Sequence, residues 1–293
     1  VPNQPRPTKN ERREEARAKA AAMRAQQERA RRRNRIIGIV VLVAAVVAVG
    51  FAVWAMIQQG QDSRREAAKV KTAIFEGDLP SIDEVAVPRG TDPVSGGIPV
   101  SAAGVGVAAP DGVRVDVYLD FMCPHCGTFE RVNGADLQAL AAQDGVTVVY
   151  HPLAIMDRAS QGTYYSTRAA NAAGVVADQS PEHFVAFMEA LFAPDIMPAG
   201  NTKGLSDARL AEVAQSVGVP VSVTDRLTAT ADFEGQTLRT FVPWVAASFS
   251  AASVAMGGQV GTPAVFIDGE RWNGDYSTAG PLRATVEAAR DAS

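Results

Sequence analysis

Two cysteines, Cys123 and Cys126, and three histidines, His125, His151 and His183, are all that 293 residues contain. That scarcity narrows the chemistry. A structural zinc takes four nitrogen or sulfur ligands, and no second pair with ligand spacing accompanies the two thiols. A disulfide kept for stability closes a long loop, whereas a two-residue gap removes almost no freedom from the unfolded chain. Internal repeats are absent. Aromatic residues are absent from the first 35 positions, so that segment has nothing placed to stack on nucleic-acid bases.

Charge is also missing where it decides location. Residues 36–57, IIGIVVLVAAVVAVGFAVWAMI, carry no ionisable side chain. At ~1.5 Å per residue this run spans roughly 33 Å, enough for a hydrocarbon core. It is too long for the apolar part of a signal peptide, and Ala52-Val53-Trp54-Ala55 spaces its alanines wrongly for a small-x-small cleavage site. Twelve Lys or Arg against four Glu give residues 1–35 a net charge of +8, while the whole chain is at -4. The basic cluster RARRRNR ends directly before the apolar run, which places the N-terminus in the cytoplasm and everything after Gln58 outside. The expectation is a basic cytoplasmic arm (1–35), a single transmembrane helix contacting lipid (36–57), an extracytoplasmic linker (58–99) rich in proline and glycine near its end, and one folded domain (100–293). The basic arm reads as a topology signal, and no nucleic-acid partner is expected.

The folded part opens with VRVDVYLD, Val113 to Asp120, whose alternation predicts a strand. The cysteines follow at once, and Phe129, Val132, Leu137 and Leu140 mark a helix from Pro124 to about Ala142. Val146 to His151 is the next strand. A long helical stretch covers about 160–256. Within it Ser180 caps a helix that starts at Pro181, and Ser206 caps another that stops at Gly218. Near the end, TPAVFIDGERW predicts two strands joined at Asp268-Gly269, and a helix closes the chain between Thr278 and Asp291.

In this frame a redox-active dithiol accounts for the cysteine pair. A cysteine directly after a strand sits at a helix N-terminus, where free amides and the helix dipole favour the thiolate. Pro124 suits a first helical position, and the imidazole of His125, between the sulfurs, favours the thiolate further. Cys126, one turn on, completes the exchange. An extracytoplasmic location suits disulfide chemistry, and the lack of a third thiol avoids trapped intermediates. His151 and His183 read as surface or structural residues.

DFMCPHC after a strand, a helical insertion, then VGTPAVFIDG resembles the DsbA-type thiol–disulfide oxidoreductases of thioredoxin fold, in the membrane-anchored form found in some Gram-positive bacteria. The resemblance covers about Val100 to Ser293. It implies an α/β thioredoxin fold with a helical insertion, Cys123 as nucleophile, Cys126 as resolving thiol, and Pro124 and His125 as the dipeptide that sets redox potential. Thr262-Pro263 becomes a cis peptide facing the cysteines, with Thr262 pairing to extended substrate. No cofactor beyond the redox-active disulfide is implied. Unfolded secreted proteins bearing thiols are the implied substrates, and a quinone-linked membrane protein the reoxidant. A reductase or isomerase fed electrons across the membrane, and an anchored thioredoxin-like binding module, are the alternatives. One position departs from the family: six residues before Cys123, where many thioredoxin-fold proteins hold a buried carboxylate, stands Val117. Asp116 and Asp120 lie on the opposite strand face and read as solvated or helix-capping, with Asp120 the nearer to the cysteines.

Overall fold

A computed structural model describes residues 79–292 without interruption and, before them, 31–35, 37–51 and scattered positions between 17 and 54. Two compact units result, Val1–Asp62 and Ser63–Ser293. In the first, the helix Arg31–Phe51 is long and apolar enough to cross a membrane, with a mean hydropathy of 2.3 over its most apolar 18 residues, and its apolar side chains are exposed. Positions 36, 52, 53 and 55–57 of the expected span lie outside the described residues.

The second unit is built on a six-stranded mixed sheet. Its strands are β1 (Ile98–Ser101), β2 (Gly104–Val105), β3 (Val113–Leu119), β4 (Val146–Pro152), β7 (Ala264–Ile267) and β8 (Glu270–Arg271), in the order β2-β1-β4-β3-β7-β8. β3 runs parallel to β4, which needs a crossover, and α1 (Pro124–Ala141) supplies it. On its other side β3 pairs antiparallel with β7, in a register that sets Val117 opposite Val265. Central placement explains why β3 is more apolar than a surface strand. Val113, Val115, Val117 and Leu119 share a core with Phe129, Leu137 and Leu140 of α1 and with Leu282 and Val286 of α7 (Pro281–Ala292). Tyr118 belongs to a second cluster, with Leu153, Ala264 and Phe266.

The alternation in β3 therefore marks two covered faces, and its polar residues meet one another, with Asp116 and Tyr118 buried and Arg114 half-buried. Arg114 makes two 2.8 Å bonds to Asp116, and His151 Nε2 lies 2.7 Å from the same carboxylate. The Tyr118 ring stacks on His151 at 4.1 Å. His151 is thus a fully buried structural residue. Asp116 is not solvated as expected, because Arg114 and His151 satisfy it inside the protein.

The insertion consists of α2 (Tyr165–Gln179), α3 (Phe184–Phe192), α4 (Asp207–Ser216), the single turn α5 (Val221–Thr224) and α6 (Val242–Ala255). It also holds a hairpin that helical periodicity does not announce, β5 (Thr230–Phe233) with β6 (Gln236–Arg239). Ser206 caps α4 by accepting from the Arg209 amide at 3.1 Å. Ser180 does not cap α3: Pro181–His183 form a 3-10 turn first, and the Ser180 hydroxyl instead lies 2.8 Å from His183 Nδ1. At Asp268-Gly269 both residues have positive φ, 50° and 84°, the type I′ geometry that matches strand twist.

Residues 79–99, expected within the linker, are folded onto this unit. Ile82 and Ile98 are buried, Trp244 Nε1 donates to the Gly96 carbonyl at 2.9 Å, Asp92 pairs with Arg114, and Arg89 binds Asp178. Prolines here mark turns in a fixed path, and Asp92 gathers the amides of Val94 and Ser95. Positions 58–78 of the expected linker lie outside the described residues.

Candidate active site

Strand β3 delivers the chain to the sulfurs. It ends at Leu119, Asp120 to Met122 make a turn, and Cys123 becomes the N-cap of α1 with extended backbone (φ -77, ψ 115) and Pro124 in the first turn. Proline needs no hydrogen-bond partner there, and the remaining first-turn amides stay free for an anion. The Cys123 amide donates to the Asp120 carbonyl at 3.0 Å, and the Asp120 amide donates to Cys126 Sγ at 3.4 Å. Asp120 thus grips both cysteines through its backbone. The Cys123 thiol lies 3.4 Å from the Thr262 carbonyl, and the Thr262-Pro263 peptide is cis. Thr262 and Pro263 come from the segment preceding β7, which the β3–β7 pairing brings alongside the turn.

The two thiols are free and electrostatically unlike. Cys123 is drawn down to about 5, first by a hydrogen bond from the Cys126 thiol, against the opposing effect of burial, with the Cys126 and His125 amides and Thr262 assisting. Cys126, with 1% of its surface exposed, is pushed well up, first by burial and then by the neighbouring Cys123. One sulfur is a thiolate at neutral pH and the other keeps its proton.

His125 helps by a different route from the one its sequence position suggests. Its backbone amide favours the thiolate, whereas its exposed imidazole is engaged elsewhere, with Nδ1 2.9 Å from the Tyr276 hydroxyl and the rings edge to face. Tyr276 is held there by Asn133, a fully buried residue of α1 whose side-chain amide donates to the Phe129 and Tyr276 carbonyls at 3.0 and 2.8 Å. Nothing local in the sequence connects Tyr276 with His125, since 151 positions separate them.

Val117 lies in the apolar core, fully buried, and two carboxylates sit inside the protein nearby in sequence. Asp120 is completely buried. It accepts from the Met122 amide (2.7 Å), the Met156 amide (2.9 Å) and the Ser166 hydroxyl (2.7 Å). Burial pushes it up to about 7, those donors pull the other way, and the charge of Asp157 adds to the rise. The expectation of a solvated or capping side chain fails because two of its three partners lie 36 and 46 positions away. Glu130, one turn past Cys126, is also pushed up to about 7 by burial and by Glu189. Among the described residues no cluster of three His, Cys, Asp or Glu is arranged to hold a metal ion. His183 is far from this chemistry in its contacts, bonding Ser180 and Glu182.

Comparison with known proteins places these observations. The family model described as Thioredoxin matches residues 108–288. Reduced DsbA of Mycobacterium tuberculosis is 30% identical, with a TM-score of 0.53 over 66% of this chain and 91% of that one. The reduced disulfide bond oxidoreductase DsbG of the same organism is 30% identical, with a TM-score of 0.52 over 66% and 86%. In sequence, the serine/threonine-protein kinase PknE of Mycobacterium tuberculosis is 34% identical over 141 residues, 47% of this chain. The match spans only 25% of the length of that kinase. On the family match and the two mycobacterial structures together, the chain belongs to the thioredoxin family and, within it, to the DsbA type of thiol–disulfide oxidoreductase.

Proposed function

We propose that this oxidoreductase works as an oxidase, donating a Cys123–Cys126 disulfide to unfolded secreted proteins outside the membrane. The observation that carries the reading is the split between the sulfurs, Cys123 down to about 5 and Cys126 well up. A thiolate about two units below neutral pH stabilises the reduced form by about 3 kcal/mol, or roughly 60 mV for a two-electron couple. A protein that prefers its reduced form is an oxidant.

The same asymmetry orders the steps. A substrate thiolate attacks Cys123 Sγ, the Cys123–Cys126 bond breaks, and Cys126 leaves and takes a proton. A second substrate thiolate then attacks the substrate sulfur of the mixed disulfide and expels Cys123. Cys123 leaves readily because its thiolate is stable, so the second step favours release of an oxidised substrate. Pro124 keeps the first helical turn in place, and Thr262 and Pro263 line the approach to Cys123, where an extended substrate strand can pair. No bound cofactor enters these steps.

The apolar helix Arg31–Phe51 and the charge step at residue 35 support an anchor through 36–57, with the N-terminus cytoplasmic and the oxidoreductase domain outside. A quinone-linked membrane protein is the proposed reoxidant. Thiol trapping in intact cells tests the direction of flow: an oxidase is found mainly as the disulfide, and recovery of Cys123 and Cys126 mainly as thiols would make it a reductase. Cys126→Ser should accumulate mixed disulfides with secreted proteins and Cys123→Ser should not. Equal trapping by both would reverse the assignment of nucleophile.

A further inference from the structure

The carboxylate of Asp120 has no part in the steps above, yet the fold invests heavily in it. It is wholly buried at the junction of the cysteine turn, the loop after β4 and the start of α2, and each of these contributes one donor: Met122, Met156 and Ser166. All three donors are neutral. Through its own backbone the residue touches both cysteines, by the Cys123 amide to its carbonyl and by its amide to Cys126 Sγ. Bond geometry therefore keeps the carboxylate within roughly 7 Å of the Cys126 sulfur and, through the hydrogen bond from Cys126 to Cys123, within roughly 11 Å of the Cys123 thiolate. Two negative charges at that separation, in a medium far less polar than water, still repel.

We propose that Asp120 is a positioning residue that stores one proton of the exchange, ionised while Cys123 and Cys126 are joined and protonated when they are free. When a substrate dithiol is oxidised, two S–H bonds break and one S–S bond forms, releasing two electrons and two protons. The electrons break the Cys123–Cys126 bond. One proton goes to Cys126 Sγ and the other to the Asp120 carboxylate, while Cys123 remains a thiolate. The buried site then holds one negative charge in either redox state, on the carboxylate or on the sulfur. Other titratable or charged groups face this site. Asp157 lies in the 3-10 turn after β4, and Tyr165 and Arg168 lie on α2, where Arg168 acts on both Asp157 and Tyr165. Asp157 has its own donors, the amide and hydroxyl of Thr167, and its charge opposes ionisation of Asp120.

The inference rests on the proposed pairing of the two thiols, and one measurement separates the two. Full-length protein in detergent is equilibrated with reduced and oxidised glutathione across about pH 5 to 8. Glutathione supplies two protons for each disulfide reduced. If Cys126 and Asp120 keep both, the equilibrium constant is flat with pH. The plateau is about one unit wide, roughly pH 6 to 7, since the Cys123 charge at that distance shifts a carboxyl by about that much. Above it the constant rises tenfold per unit. In Asp120→Asn the plateau is lost and the tenfold slope begins near the Cys123 pKa. Ser166→Ala, which removes one donor to the carboxylate, moves the upper edge of the plateau to higher pH. Asp157→Asn, which removes a neighbouring charge, moves it lower. Reversible exchange with no plateau in the parent protein, or a plateau abolished by Asp157→Asn and kept in Asp120→Asn, overturns the assignment. So does an unmoved edge in Ser166→Ala, the variant that decides if Asp120→Asn does not fold. Thiols that fail to equilibrate with glutathione at all would overturn the functional reading and this assignment with it.

Discussion

Asp116 and Asp120 are four residues apart, one inside β3 and the other just past its end, both inside the protein, and they are treated in opposite ways. Burial alone would raise Asp116, but bonds from His151 and Arg114 overcome it and hold the carboxyl below its ordinary value. Asp120 receives two amides and a hydroxyl, burial wins, and the carboxyl rises to about 7. Asp120 is the deeper of the two, but both are buried, and the partners set the direction. A carboxylate matched with an arginine and a histidine is a structural joint whose charge stays fixed, and one matched with neutral donors next to the sulfurs is free to change charge as the sulfurs do.

Breaking the matched site should have the larger effect. Asp116→Ala leaves fully buried His151 without its acceptor and the Arg114 guanidinium with only Asp92 and Ser95, and should cost about 4 kcal/mol in urea unfolding, with the Cys123 titration unmoved. A shifted thiolate titration would mean the two regions are not separate.

The second expectation concerns sign. A depressed Asp116 is an asset above about pH 4 that is lost in acid. His151 is pushed down by burial against the Asp116 bond, so it too costs stability as pH falls below its ordinary 6.5. Asp120 works the other way: its raised carboxyl costs most above pH 7. Asp120→Asn should therefore gain on the parent protein by about 3 kcal/mol between about pH 5 and pH 8, read from melts of the dithiol form at each pH. A difference that stays constant with pH would show that Asp120 ionises as an ordinary carboxylate.

The smallest effect belongs to the rim of the site. Tyr276→Phe removes one exposed hydrogen bond to His125 and should cost less than about 1 kcal/mol. In a His125→Ala background it should do nothing further to the reduction potential. An additive effect would place the influence of Tyr276 elsewhere than in the imidazole.

How much of this was legible follows from how far apart the contacting residues lie. The cysteine turn, α1, β4, the Asp268-Gly269 hairpin and α7 are written locally, in alternation, helical spacing and turn residues, and each stands within a few residues of its expected place. The β5–β6 hairpin turns at Glu234-Gly235, both with positive φ, yet its strands are mostly exposed and so lack the apolar alternation that announces β3. Proline spacing in 79–99 looked like a linker because its partners, Asp178, Arg114 and Trp244, lie in other elements. Nearness to the cysteines marks Asp120 in the sequence, but its depth depends on Met156 and Ser166. Pairing of that kind is set by topology, which no short window reveals.

The anchoring of 79–99 has a mechanical side. Any pull arriving from the N-terminal direction meets Arg89–Asp178, Asp92–Arg114 and Trp244–Gly96 before it reaches β1. These bonds tie the incoming chain to α2, β3 and α6 separately, so a load is divided among three elements. Strand β1, bonded along β4, takes what remains in shear, with its hydrogen bonds loaded together. The cysteine turn follows the opposite end of β3 from Arg114 and lies outside the direct line of that load.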